Sequence, residues 1–228
     1  MGISQKFILF ISLSVLAFLA CTLLISQDIM RRHALRSADE LASTILDRTD
    51  KQIAQFFGDL ESLARGLAAT RPVLEVDPVG MRDLFLANVL ARKRYLRAIY
   101  LGTTDGRMLE WGQGEGFVDH VPSFPPGYDP RERPWYRTAI EKDQFSVSAP
   151  YRYASVDAMG ITCVLPVRNA AGELLGVLGL DILLESLASI LDDLEIPKDG
   201  RAIILDGTGQ VVASQFPMTR SGGQPLKP

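Results

Sequence analysis

An α+β fold is predicted by three features of this 228-residue sequence. A long proline-free stretch lies toward the N-terminus, short β-type runs separated by turn residues follow from Leu96, and regular strand–helix alternation is missing. Helices and strands segregated along a chain in this way pack as helices on an antiparallel sheet, not as βαβ units.

The first element is Phe7 to Ile25, 19 residues without a charge. About 20 apolar residues cross a hydrocarbon core as a helix. A cleaved signal peptide needs a shorter apolar core and a small-x-small cut site, which Ser26-Gln27-Asp28 does not offer. A lipoprotein signal would place small residues before Cys21, where Phe18-Leu19-Ala20 stand. An uncleaved transmembrane anchor is therefore expected. Its orientation is contradictory by charge: Lys6 precedes the span, whereas Arg31, Arg32 and Arg36 follow it. The positive-inside bias alone would put the C-terminal side in the cytoplasm, yet long domains translocate largely regardless of charge.

From Gln27 to Ala69 no proline interrupts, and Leu41, Ile45, Ile53, Phe56, Phe57, Leu60, Leu63 and Leu67 recur at helical spacing. That predicts an amphipathic stalk helix packed on its own domain, with part of its face open to a second copy as a parallel homodimer. A second helix is expected over Pro78 to Arg92. Leu96 to Gly102 and Met108 to Trp111 read as a hairpin around Asp105-Gly106. A Gly- and Pro-rich loop is expected from Gly112 to Pro130, then a helix opened by Pro134. Strands are expected over Phe145 to Tyr153, Gly160 to Arg168 and Leu174 to Ile182, and a helix over Leu183 to Leu194. Arg201 to Ser214 repeats the strand–turn–strand pattern of Ala98 to Trp111, as the opening of a second, truncated module.

Composition narrows the function. The 24 basic and 27 acidic residues nearly cancel, leaving no nucleic-acid footprint. Cys21 and Cys163 lie far apart, no Cys-x-x-Cys occurs, and His33 and His120 lack ligand spacing, so neither metal nor cofactor is expected. No nucleophile–His–acid order is visible, and the glycines of Gly112 to Gly116 do not join a strand to a helix as phosphate loops do. Catalysis in this chain is not expected.

One stretch stands out: Tyr128-Asp129-Pro130-Arg131-Glu132-Arg133-Pro134-Trp135-Tyr136, with Tyr151 and Asp181 further on. Arg133 can clasp a carboxylate through two parallel hydrogen bonds, and Asp181 can receive an ammonium. Together they point to a small-molecule site. Each residue also has an ordinary alternative. Arg133 could pair with Glu132 or Asp129, Asp181 could cap the following helix, and the aromatic residues could be core. Asp119, His120, Arg152, Asp157 and Met159 lie in segments that could flank such a site. Arg131 and Arg137 read as structural or solvent-facing.

The membrane helix, the stalk, the DPRERPWY loop and the later GVLGLDI strand together resemble the extracytoplasmic double Cache sensor domain of bacterial receptors. The resemblance runs from about Phe7 to Ser214. It implies residues 1–6 as a flank, 7–25 as the transmembrane helix and 26–69 as the stalk. A PAS-like membrane-distal module would then occupy 70–197, and the start of a membrane-proximal module 198–228. One subgroup binds amino acids through a recurring residue set, which Tyr128, Arg133, Trp135, Tyr136, Tyr151 and Asp181 match. The resemblance implies that Tyr128, Arg133 and Trp135 hold the ligand carboxylate, and that Tyr136, Tyr151 and Asp181 surround the amino group. It places the chain in the inner membrane with the sensor module outside the cytoplasm. A ligand-free dimerisation or adaptor module, or a sensor of amines or organic acids, is the competing expectation.

Overall fold

A computed structural model describes residues 3–114, 116–187, 203–205, 209 and 211–214. The chain divides into two compact units, Met1–Gln52 and Ile53–Pro228. The first unit belongs to helix α1 (Ile3–Ala68). Its side chains are largely exposed, among them Phe10, Leu16, Phe18 and Leu24. Among the described residues, this is the one helix long and apolar enough to cross a membrane.

In the second unit, the last turns of α1 bury Leu60, Ala64 and Leu67, with Phe56, Phe57 and Leu63 packed beside them. Spacing of three and four residues puts these on one helix face. A short helix α2 (Arg71–Leu74), not expected from the sequence, precedes α3 (Pro78–Ala91). The Asp77 side chain accepts hydrogen bonds from the backbone N–H of Val79 and Gly80, and Pro78 follows it at the first helical position. This is a strong helix start. Met81, Phe85 and Val89, spaced by four, form the buried face of α3.

The sheet consists of β1 (Leu96–Thr103), β2 (Met108–Gly114), β3 (Gly116–Asp119), β4 (Ser146–Val147), β5 (Tyr151–Arg152), β6 (Met159–Arg168) and β7 (Leu174–Leu183). Its order is β3-β2-β1-β7-β6-β4, with β5 also on β6. Every pairing is antiparallel. The pairing of β1 with β7 brings the first and last strands together at the centre.

Two details differ from expectation. Part of the Gly-rich loop is β3, which folds back on β2 with Gly114 opposite Gly116. The strand expected over Phe145 to Tyr153 is split into β4 and β5. Between them, the Thr162 N–H donates to Ser148 Oγ, and Pro150 has no N–H to offer a ladder. The helix α4 (Pro134–Lys142) forms as expected. Residues 184–187 are helical, and the rest of the helix expected up to Leu194 lies outside the described residues. So does much of the expected second module, of which the hairpin β8 (Ile203–Leu205) and β9 (Val211–Ser214) is described.

The sheet has two different faces. Ile99, Leu101, Ile161, Cys163, Leu165, Leu178, Leu180 and Ile182 join the cluster made by α1 and α3. Their neighbours Ala98, Tyr100, Val164 and Val177 join a second cluster with Trp135, Tyr136 and Ala139 of α4. The period of two along each strand makes this division. It also directs Thr162 and Asp181 toward the α4 side.

Candidate ligand-binding site

The loop from Phe124 to Arg133 is held over that second face by its own short-range bonds. Asp129 accepts from the Arg131 N–H and receives the Arg131 guanidinium on both carboxylate oxygens. Arg131 Nη1 in turn donates to the Thr104 carbonyl in the β1–β2 turn, at 3.1 Å. Asp129 is therefore taken, and Arg133 does not make the surface pair that its neighbours allow. Pro134 then starts α4 and sets Trp135 inward at 1% exposure. Room for the indole comes from Gly102, where a Cβ would lie 2.6 Å from the Trp135 ring.

Under this loop lies a narrow cleft. Tyr128, Arg133, Trp135, Tyr151 and Asp181 line it, with Tyr100, Met108, Glu110, Phe124, Tyr153, Ala154 and Ser155. Five of the six expected residues thus meet in one place. Tyr136 is not among the lining residues. It packs edge-on against Trp135, with ring centroids 5.5 Å apart, and burial raises the pKa of its hydroxyl, with Arg131 opposing the rise and Asp129 adding to it. Of the expected flanking residues, none lines the cleft. Arg152 pairs with Asp157 at the surface, Asp119 accepts from the Val121 N–H, Met159 is exposed, and His120 is buried with Nε2 3.0 Å from the Gln113 carbonyl.

One end of the cleft is cationic. The Arg133 guanidinium lies 5.8 Å from the ring centres of both Tyr128 and Tyr151. Its Nη2 donates to the Arg152 carbonyl at 3.1 Å. Its Nε is buried and has no hydrogen-bond partner, the one such side-chain atom among the described residues. A buried N–H left without an acceptor costs about 1–3 kcal/mol, a deficit that an anionic oxygen in the cleft would relieve. Tyr128 stacks on Phe124 at 4.2 Å. Burial raises the pKa of its hydroxyl, partly offset by Arg133, and keeps it a neutral donor.

The other end is acidic and more densely bonded. Asp181 Oδ1 accepts from Tyr100 OH at 2.8 Å and Thr162 Oγ1 at 2.7 Å, and Oδ2 accepts from Arg97 Nη1 at 3.0 Å. Since Thr162 spends its only hydroxyl proton on Asp181, Tyr151 OH donates to Thr162 Oγ1 at 2.6 Å. Arg97 also donates to Glu110 Oε1 at 2.9 Å and to Ser155 Oγ at 2.8 Å, and Ser155 Oγ donates to Glu110 Oε1 at 2.8 Å. The three charged side chains are 4%, 2% and 3% exposed for Arg97, Glu110 and Asp181. Burial pushes the Asp181 carboxyl up to about 7, Arg97 pulls it back in part, and Glu110 adds to the rise. The same burial raises the hydroxyl pKa values of Tyr100 and Tyr151. Burial also works against charge on Arg97, but Asp181 and Glu110 outweigh it.

Arg97 and Glu110 were not anticipated from the sequence. By strict alternation, Arg97 belongs on the face of Ile99 and Leu101, under the helices. The register shifts between Leu96 and Ala98 on β1, where Leu96 stands opposite Ile182 but Ala98 opposite Asp181. This bulge brings Arg97 onto the cleft side. Glu110 stands opposite Tyr100 across the β1–β2 pair. A carboxylate between Leu109 and Trp111 in β2 was a legible hint of its face. A further signal was Gly179, whose position leaves room for the Tyr100 ring: a Cβ there would lie 2.1 Å from it.

Comparison with known proteins places this geometry in a family. The methyl-accepting chemotaxis protein McpA of Pseudomonas putida is 34% identical over 133 residues, covering 57% of this chain and 19% of that protein. The methyl-accepting chemotaxis protein PctB of Pseudomonas aeruginosa is 25% identical over 219 residues, covering 92% of this chain and 31% of its own length. The chain thus spans less than a third of these two relatives. The solved ligand-binding domain of PctB, an amino-acid chemoreceptor in complex with L-Arg, superposes with a TM-score of 0.57 at 26% identity. That match covers 70% of this chain and 63% of the solved one. A family model described as a Cache domain matches residues 26–227, nearly everything beyond the apolar N-terminal stretch, so the chain belongs to the Cache domain family.

Proposed function

We propose that this chain is a membrane-anchored extracytoplasmic sensor module that binds an α-amino acid. The carrying observation is the unsatisfied, buried Arg133 Nε in the same cleft as Asp181. An α-carboxylate at Arg133 supplies the missing acceptor, and an α-ammonium at Asp181 supplies a cation where a carboxylate is buried. Tyr128 and Trp135 frame the carboxylate end, and Tyr151 and Tyr100 the ammonium end. Tyr136 acts from behind Trp135, by packing. The amino-acid complex of the related PctB domain supports the ligand class.

The apolar N-terminal part of α1 would anchor the chain in the inner membrane, with the sheet outside the cytoplasm. Exposed Leu35, Leu41 and Leu46 on α1 suit a parallel homodimer through the stalk. Binding transmits a signal only if the ligand prefers one of two states of the module. No bond is made or broken in this function.

The test is a thermal-shift screen of the whole chain in detergent against α-amino acids, simple amines and organic acids. At 100 times the dissociation constant, a ligand adds about 2.7 kcal/mol, or a shift of about 5–10 °C for a protein of this size. A shift with α-amino acids that disappears in Arg133→Ala is expected. A shift with amines or with organic acids alone would replace the proposed ligand class, and no shift with any compound would support the ligand-free adaptor.

A further inference from the structure

We infer that Glu110, together with Arg97 and Ser155, sets the charge that the ligand side chain can carry, and that the cleft selects uncharged α-amino acids. The inference rests on the amino-acid reading of the site.

Three ionic side chains line the cleft, the cation Arg133 and the anions Glu110 and Asp181, and a fourth, the cation Arg97, is bonded to both anions. Glu110 and Asp181 share a single guanidinium, that of Arg97. The acidic end therefore lacks one positive charge, which one α-ammonium supplies. The cationic end lacks one negative charge, which one α-carboxylate supplies. His120 behind Glu110 adds no cation, because burial and Arg97 lower its pKa. The Arg152–Asp157 pair at the rim cancels itself. A zwitterion without further charge leaves every buried ion compensated.

The same lining sets the space left for a side chain. Once Arg133, Tyr128 and Trp135 are assigned to the carboxylate, and Asp181, Tyr100 and Tyr151 to the ammonium, the unassigned walls are Met108, Phe124, Tyr153, Ala154, Ser155 and Glu110. Met108 and Phe124 are apolar and large, Ala154 is a methyl, Tyr153 turns its hydroxyl to the Ile161 and Ile182 carbonyls, and the polar pair Ser155 and Glu110 is already bonded to itself and to Arg97. An acidic side chain here would face the Glu110 carboxylate. A basic one would compete with Arg97 for it and leave a surplus buried cation. Either is unfavourable beside a carboxylate as buried as that of Glu110.

Isothermal titration of the whole chain in detergent, with L-alanine, L-serine, L-aspartate and L-lysine, tests this. The wild type is expected to bind L-alanine and L-serine tighter than L-aspartate or L-lysine by about tenfold or more, the effect of one like-charge contact or uncompensated ion. In Glu110→Gln, which keeps an acceptor for Arg97 and Ser155, the affinity ratio of L-aspartate to L-serine should rise about tenfold. A wild type that prefers L-aspartate or L-lysine overturns the inference, as does an unchanged ratio in a folded Glu110→Gln. If that variant does not fold, the wild-type ranking decides alone. Absence of binding by all four amino acids, with binding of an amine or organic acid instead, would remove the amino-acid reading itself and this inference with it. Amino-acid binding without charge preference would remove only the inference.

Discussion

Along β7, Leu178, Leu180 and Ile182 lie in the core shared with α1 and α3, while Gly179 and Asp181 between them face the cleft, where Gly179 clears the Tyr100 ring and Asp181 takes three donors. The first face is held by apolar area, which is non-directional and tolerant of exchange at similar volume. The second is held by a directional polar network, where each donor is matched to one acceptor and a missing partner leaves a buried group exposed to its full desolvation cost. The contrast separates two properties of the protein. Apolar stabilisation is spread over many side chains of the helical face, whereas the proposed recognition would rest on a few atoms of the other.

Deleting one ion from the network breaks the comparison most sharply. Arg97→Ala strands Glu110 and Asp181 together without a counter-ion, and should destabilise the fold by about 3–5 kcal/mol, read as a lowered denaturation midpoint. On the helical face, Phe85→Ala removes a fully buried ring and should cost a similar 3–5 kcal/mol through the cavity it leaves. The two differ in their effect on recognition: under conditions where both remain folded, Phe85→Ala keeps the wild-type ligand preference and Arg97→Ala does not.

Arg133→Ala is expected to sharpen the distinction from the other side. It should weaken amino-acid affinity by about 2–5 kcal/mol, measured by titration calorimetry, because the ligand carboxylate loses its counter-ion. Its effect on the unliganded fold should be slight, since Arg133 Nε is unpaired there.

Acidity gives a graded version. A bound ammonium lowers the Asp181 pKa from its unliganded value of about 7, so the bound state holds fewer protons than the free one. Affinity should therefore rise with pH up to about 7 and level off above it, falling by up to about tenfold per pH unit below. Without ligand the sign reverses. A folded-state pKa raised above the ordinary 3.8 means that the stability Asp181 contributes is full below that value and is lost as pH rises toward about 7. Titrations and melting curves from pH 4 to 8 would check both slopes. The smallest effect belongs to the exposed Arg168–Asp143 pair, where Arg168→Ala should change stability by no more than about 0.5 kcal/mol.

Much of this was legible beforehand. The helical spacing of Leu60, Leu63 and Leu67, the helix start at Pro78, the Asp105-Gly106 turn and the Pro134 helix start are local signals, decided by residues within a few positions of one another. The residues from Tyr128 to Trp135, with Tyr151 and Asp181, could be singled out because their joint spacing matches the recurring set of the resembled family, although each alone has an ordinary structural use. The break between β4 and β5 was harder, since it depends on Ser148 meeting Thr162 on another strand. The place of Tyr136 behind Trp135 depends likewise on the fit of α4 over Gly102.

The sequence by itself determined most of the elements and the α+β class, because backbone propensity and period are properties of short stretches, while the grouping of Arg133 with the distant Asp181 came from the family resemblance. Only the tertiary structure decided that Asp181 shares its counter-ion with Glu110. That sharing needs Arg97 and Asp181, separated by 84 positions, to meet across the β1–β7 pairing, and it needs a bulge to bring Arg97 off the helical face. Strand partnership and register are set by the balance of the whole sheet, and no local signal encodes them.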